Sequence, residues 1–299
     1  MPDRLFARWR AASNLTEQER FAAFVEHPRF EEAARMLSRG MLTLAAEDKA
    51  LDGMVKDVGR FGASMMAFYL HATGGLTLPR LKALCSDSRL ISPGRARAIL
   101  IYLRFLKYVV PAEGGGRAGL YVPTPELQRA WHAIEWHALS AVRLIEPDVA
   151  HVMVALKEPR AISDFVRMLH AVAFGPSHRG STDNALWRVF LNRHAGTQIL
   201  HALMLGAAEG DSYPPRGAMT CSLSRLARDF NVSRPHVARL LRAAEREGLA
   251  VLEGANHLRL TEEGRSQAAI LLGLRLWTSL HAAALLYEER AGEPLRRTG

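Results

Sequence analysis

The 299-residue sequence predicts a mainly α protein with small β-hairpin wings. Three observations carry this reading. Apolar residues recur at helical spacing along most of the chain, strand signals are few and short, and one order of elements occurs twice.

Thr16 opens the first helix, with Glu19 three residues on in the pattern of a capping box. The spacing carries this helix to Arg39, with a break near Pro28. A second helix spans 45–72, interrupted near Gly59 and Gly62, and Gly74 and Gly75 end it. Short helices follow at 77–85 and 92–108. The runs 108–110 and 120–122 flank Gly114, Gly115 and Gly116, which predicts a hairpin with a flexible tip. Thr124 and Pro125 then cap and start a helix that reaches about Ile145. Residues 147–194 read as helices joined by a loop at 175–183, and 184–208 as a helix broken near Gly196. A loop with Pro214 and Pro215 leads to short helices at 222–230 and 233–247, a hairpin, and a long last helix opened by Thr261.

The order long helix, short helix, turn, helix, hairpin, capped long helix therefore appears twice. The spacing from Ser92 to Ser233 nearly equals that from Thr124 to Thr261, as in a structural duplication with little residue identity. The expected architecture is tandem winged helix-turn-helix units joined by helices. The expected parts are an N-terminal helical segment 1–44, a first unit 45–146, a helical connector 147–195 and a second unit 196–299.

Hydrophobic residues make up 48% of the chain, which excludes a disordered tail. Lys and Arg number 39 against 30 Asp and Glu, a formal charge of +9 that suits a polyanion such as nucleic acid. Two cysteines, Cys85 and Cys221, make neither a disulfide framework nor a four-cysteine zinc site. The start of the chain carries Asp3, Arg4, Arg8 and Arg10 without an apolar run after them, so it does not read as a secretion signal. The longest apolar stretch, 268–287, contains Arg275 and His281, which favours a packed helix over a membrane span. A cytoplasmic protein is expected.

The clearest functional signal lies in the second unit. Asn231, Val232 and Ser233 form a tight turn, where Asn tolerates left-handed backbone and Ser233 caps the next helix. In that helix Val237, Leu240, Leu241 and Ala244 share one face. At ~100° per residue, Pro235, Arg239, Arg242 and Arg246 lie within about 40° of the opposite direction. Arg234 and His236 sit in the first turn, where a recognition helix meets base edges. Guanidinium groups there would bond guanine bidentately or grip phosphates. The hairpin that follows is a wing, and His257 or Arg259 on its returning strand would touch phosphates or a minor groove.

The segment LSRLARDFNVSRPHVARLLRAAEREGLAVLEGANHLRLTEEG resembles the DNA-binding part of MarR-type winged-helix transcriptional regulators. The match rests on NVSRPHVARLLRAAEREGLA for turn and helix, and on LTEEG where the wing returns to a helix. The resemblance implies a dimer on a palindromic operator with the recognition helix in the major groove. It places Ser233, Arg234, His236 and Arg239 nearest the bases.

The first unit is a weaker copy. Ile99, Leu100, Leu103 and Leu106 form its core stripe, but Gly94, Ala98, Ile101 and Phe105 make the opposite face apolar. Exposing Ile101 and Phe105 is unfavourable, so this helix is expected to be covered on both sides, by another element or another subunit. Arg95 and Arg97 near its start, Arg104 on its flank and Arg117 beside the glycine-rich tip remain candidate DNA contacts. Two further stripes suggest a homodimer: Trp131, Ile134, Ala138, Leu139 and Val142, and, on the last helix, Ile270, Leu271, Leu274, Trp277, Leu280, Ala284 and Leu285.

His132, Glu135 and His137 lack the spacing of a helical zinc pair, and neither a phosphate loop nor a nucleophile elbow is present. The expectation is a non-catalytic regulator that needs no cofactor or metal. Its partners would be double-stranded DNA and a second copy, without a membrane. Two alternatives stand beside it. One is a plasmid replication or partition initiator with two winged helices, and the other a non-catalytic protein-binding adaptor.

Overall fold

A computed structural model of the chain describes residues 6, 16–88, 91–113, 119–174, 184–254 and 256–292. Thr16 closes the capping box: its hydroxyl accepts from the Glu19 amide, and the Glu19 carboxylate accepts from the Thr16 amide at 2.8 Å. Helix α1 (Glu17–Val25) follows, and the chain turns before α2 (Phe30–Glu47). The helix expected to end at Arg39 thus continues for two further turns. The interruption expected near Gly59 and Gly62 falls at Asp57, and a further one lies at Asp48. Each of these aspartates accepts two backbone amides and starts a new helix, α3 (Lys49–Val55) and α4 (Val58–Ala72). Gly59 and Gly62 are buried inside α4, and a Cβ on Gly59 would meet the Ile91 side chain at 2.7 Å, so close packing explains Gly59.

Strand β1 (Leu76–Thr77), α5 (Leu78–Asp87), α6 (Pro93–Phe105), β2 (Val109–Pro111), β3 (Leu120–Pro123) and α7 (Pro125–Val142) come next. Thr77, Ser92 and Thr124 each cap the helix they precede. Helices α8 (Val149–Ala155) and α9 (Pro159–Phe174) lead to a π-helical turn (Trp187–Leu191) and α10 (Gly196–Leu205). The expected break at Gly196 falls just before it, at Ala195, which takes left-handed backbone at φ 56°. A Cβ on Gly196 would stand 2.0 Å from the Phe190 carbonyl oxygen, so this junction admits only glycine. The chain closes with β4 (Met219–Thr220), α11 (Leu223–Asp229), α12 (Arg234–Arg246), β5 (Ala250–Glu253), β6 (His257–Leu260) and α13 (Glu262–Gly292).

Among the described residues the protein is mainly helical with two small antiparallel sheets. Their strand orders are β1-β3-β2 and β4-β6-β5, so one pattern of pairing occurs twice. In each sheet the short first strand pairs with the third, Leu76 with Tyr121 and Met219 with Leu258. Sequence patterning missed both of these two-residue strands because they are too short to show a period.

Helix α7 lies at the centre, packed by α2, α9 and α13. Its stripe of Trp131, Ile134, Ala138, Leu139 and Val142 is wholly buried within the chain. That corrects the expectation that this stripe serves a second subunit. Helix α13 leaves the second hairpin and runs back over α1, α7, α8 and α9. Trp277, Leu280 and Ala284 are buried, whereas Ile270, Leu274 and Leu285 stay exposed.

Among the described residues α13 is the one helix long and apolar enough to cross a membrane. Over half of that stretch, 56%, is buried inside the fold, as in the core helix of a compact protein. Arg275 explains the packing. Its Nη2 donates to Glu135 Oε1 at 2.7 Å, and Glu135 has no exposed surface. Arg275 also donates to Ser279 Oγ, which donates to Glu135 Oε2 at 3.0 Å. This network locks α7 to α13. Arg275→Met will leave the Glu135 carboxylate buried without its cation and cost about 3 kcal/mol, the low end for a broken buried pair because Arg275 is 21% exposed. Urea unfolding checks this, and adding Glu135→Leu should restore most of the loss. A single-variant cost under ~1 kcal/mol would show that the pair does not hold the helices.

Candidate nucleic-acid interface

The α11–α12 unit is built from local rules. Ser222 accepts from the Arg225 amide and opens α11, whose Leu226 and Ala227 are buried. The chain reverses at Asn231, which sits at φ 50°, a conformation Asn adopts with little strain. The Val232 amide donates to the Ala227 carbonyl at 2.9 Å and closes the turn. Ser233 is extended and its hydroxyl accepts from the His236 amide at 3.2 Å. Pro235 falls in the first turn, where a missing N–H costs nothing. At the far end Gly248, at φ 70°, takes the left-handed position, and the Leu249 amide donates back to Ala244 at 2.9 Å.

Between these stops α12 has two faces. Val237, Leu240, Leu241 and Ala244 are buried, and Arg234, Arg239, Arg242 and Arg246 are exposed. None of the four arginines makes an ion pair among the described residues. The acids near them are used elsewhere: Glu245 accepts from the Leu252 amide, and Glu247 pairs with Arg188 at 2.8 Å. The outward stripe therefore keeps its charge.

The other candidates fare differently. His236 Nε2 donates to the His194 carbonyl at 2.9 Å, so its ring is turned toward the segment before α10 and is already engaged. Arg259 pairs with Glu253 at 2.6 Å across the second hairpin, which lowers its availability to a phosphate. His257 is exposed on the same strand. In the first unit Arg95 is bonded to Asp57, the residue that caps α4, and so is already engaged. Arg97 is exposed. Arg117 lies outside the described residues. Arg104 stands over the Tyr121 ring at 5.5 Å. The expected cover over α6 is absent among the described residues: Ile101 is 55% exposed and Phe105 79%.

The fold brings further cations to α12 that the sequence reading missed. Arg225 and Arg228 on α11 are exposed and share one carboxylate, Asp229, at 3.4 and 3.5 Å. Their signal was present in the sequence, one element before the basic helix. Arg193 is exposed beside His194, and the His194–His236 bond carries it to the start of α12. No sequence signal joins residues so far apart in the chain. Burial holds the His194 ring below the ordinary histidine range, with Arg60 and Lys56 adding to the effect.

Glu135 is buried in its pair with Arg275, apart from any shared site with His132 and His137. No group of His, Cys, Asp and Glu suited to a metal occurs among the described residues. No protein-family model, no curated protein and no solved structure matches the chain.

Proposed function

We propose that the chain is a sequence-specific DNA-binding transcriptional regulator of the cytoplasm. Its second unit acts as a winged helix-turn-helix of the MarR type. Helix α12 is the reading helix, α11 crosses the backbone and the β5–β6 hairpin is the wing. One observation carries this reading: Arg239, Arg242 and Arg246 stand exposed and without acidic partners along one face of a helix whose opposite face is buried, with Arg234 exposed in its first turn. Holding several arginines in one row costs charge repulsion, which a row of phosphates relieves. Arg225, Arg228 and Arg193 extend the same positive surface and suit the flanking backbone. More than one copy would bind, each contributing one reading helix.

The test is selection of bound genomic fragments followed by anisotropy titration of the best duplex. The expected affinity is nanomolar, about 10³-fold or more tighter than for random duplex, and falls steeply with salt. Equal affinity for the selected and random duplexes would overturn the reading.

A further inference from the structure

Helix α12 is held at both ends by one short segment. At its start His236 Nε2 donates to the His194 carbonyl at 2.9 Å. At its end Glu247, the residue that closes the helix, pairs with Arg188 at 2.8 Å. Between these two links the π-helical turn, Trp187–Leu191, packs on α12.

The segment has little freedom of its own. A π-helical turn is rare and is found mostly at functional sites. Ala195 takes left-handed backbone at φ 56°, which its side chain disfavours and which only fixed surroundings maintain. Gly196 lies directly against the Phe190 carbonyl, so the chain folds back on the π-helical turn without a gap. On its far side the segment is fastened to the first unit. The Ala195 amide donates to the Lys56 carbonyl at 2.9 Å, and Gln198 Nε2 donates to Asp52 Oδ1 at 3.0 Å. Lys56 and Gln198 are buried, so this fastening belongs to the core.

The links toward α12 are of another kind. Arg188 and Glu247 are 47% and 41% exposed, and such a pair adds little to overall stability. Its place matters more than its strength. A reading helix is useful in one pose, and apparent affinity falls with the fraction of molecules that hold that pose. Two modest links at opposite ends of a helix restrict its tilt more than either would alone.

We infer that His236 is a positioning residue, which together with the Arg188–Glu247 pair clamps α12 to the segment 187–195 and so sets the pose of the reading helix relative to the first unit. The inference rests on the DNA-reading role proposed for α12, and it takes His236 out of the set of base contacts. Loss of a clamp and loss of a contact differ in kinetics. A loosened helix spends less time in the binding pose, which lowers the association rate. The bound complex, where DNA holds the helix, dissociates as before. A lost base contact instead raises the dissociation rate.

Stopped-flow association and dissociation of the full chain on the selected duplex read the difference. His236→Phe keeps the bulk of the ring and removes the donor. It should lower the association rate roughly 5-fold, the worth of one hydrogen bond, with dissociation rate, salt slope and base preference as in the parent. His236→Ala also lacks the donor and should behave alike. His236→Gln returns an N–H at the reach of Nε2 and should restore the parental rate. A side chain that merely fills space would be replaced better by Phe than by Gln, so recovery by Gln alone requires the hydrogen bond. Urea unfolding should show all three variants folded. A parental association rate for the Phe and Ala variants overturns the inference. So does a Gln variant as slow as the Phe variant, or a raised dissociation rate with relaxed preference at one base pair, which puts the ring on a base edge. A parent that does not distinguish the selected duplex from random duplex removes the reading of α12 itself, so the two failures are told apart.

Discussion

Arg239→Ala will weaken binding of the selected duplex by about 1–3 kcal/mol, a loss of roughly 5- to 150-fold, if its guanidinium reaches a base edge. The triple variant with Arg242→Ala and Arg246→Ala should lose ~10³-fold or more and bind no tighter to the selected site than to random duplex. Alanine is the best helix former, and all three side chains are exposed, so α12 itself should persist. Salt separates the roles. Each lost phosphate contact lowers the slope of log affinity against log salt by ~0.9 and weakens all sequences alike, whereas loss of a base contact relaxes the preference at one position. Arg95→Ala and Arg259→Ala serve as internal comparisons. Both guanidinium groups are already held by carboxylates, so their loss should cost less than that of Arg239. A folded triple variant with parental affinity would remove α12 from the interface.

The second large effect is acid lability. His201 and His170 are buried, and burial pushes each down to about 4. The Ser38 hydroxyl donates to the Ala34 carbonyl, so His201 Nδ1 at 2.7 Å is the donor to Ser38 Oγ, and burial keeps the ring neutral near pH 7. The His170 ring is stacked on Tyr69 at 4.0 Å and lies 5.0 Å from Phe174. A histidine of the unfolded chain titrates near ~6.5. Below that value the unfolded state binds more protons than the native one, so stability falls as pH falls. The loss develops between about pH 6.5 and pH 4, at up to ~1.4 kcal/mol per pH unit for each histidine. Unfolding free energies from urea titrations at pH 7 and pH 5 should therefore differ by several kcal/mol, and His170→Phe should remove one share of the difference. His132, His137 and His194 are also held low by burial and act in the same direction. Equal stability at the two pH values would show that these rings stay neutral on unfolding or charged when folded.

Different kinds of interaction explain which features were legible. Caps are local: Thr16, Thr77, Ser92, Thr124, Ser222 and Ser233 each satisfy an amide three residues on. The two faces of α12 follow from period alone, and Asn231 announces its turn through its own backbone preference. The errors arose where a partner came from elsewhere. The Trp131 stripe looked fit for a second subunit, but α2, α9 and α13 cover it. The α6 face looked too apolar to be left open, and of the two covers expected for it, another element or another subunit, no element of the described chain covers Ile101 and Phe105. Arg95 and Arg97 looked alike, and Asp57, 38 residues away, distinguishes them.

By itself the sequence determined the helical class, the capped starts, the repeated order of elements and the charged row from Arg239 to Arg246. These depend on spacings of a few residues, which backbone geometry converts directly into faces and turns. Tertiary structure alone decided which apolar stripes are core and which are surface, that Glu135 neutralises Arg275, and that Arg193 joins the start of α12. Those outcomes depend on residues more than a hundred positions apart in two of the cases, and on how much surface neighbouring elements happen to cover. Chain-local periodicity carries no record of either.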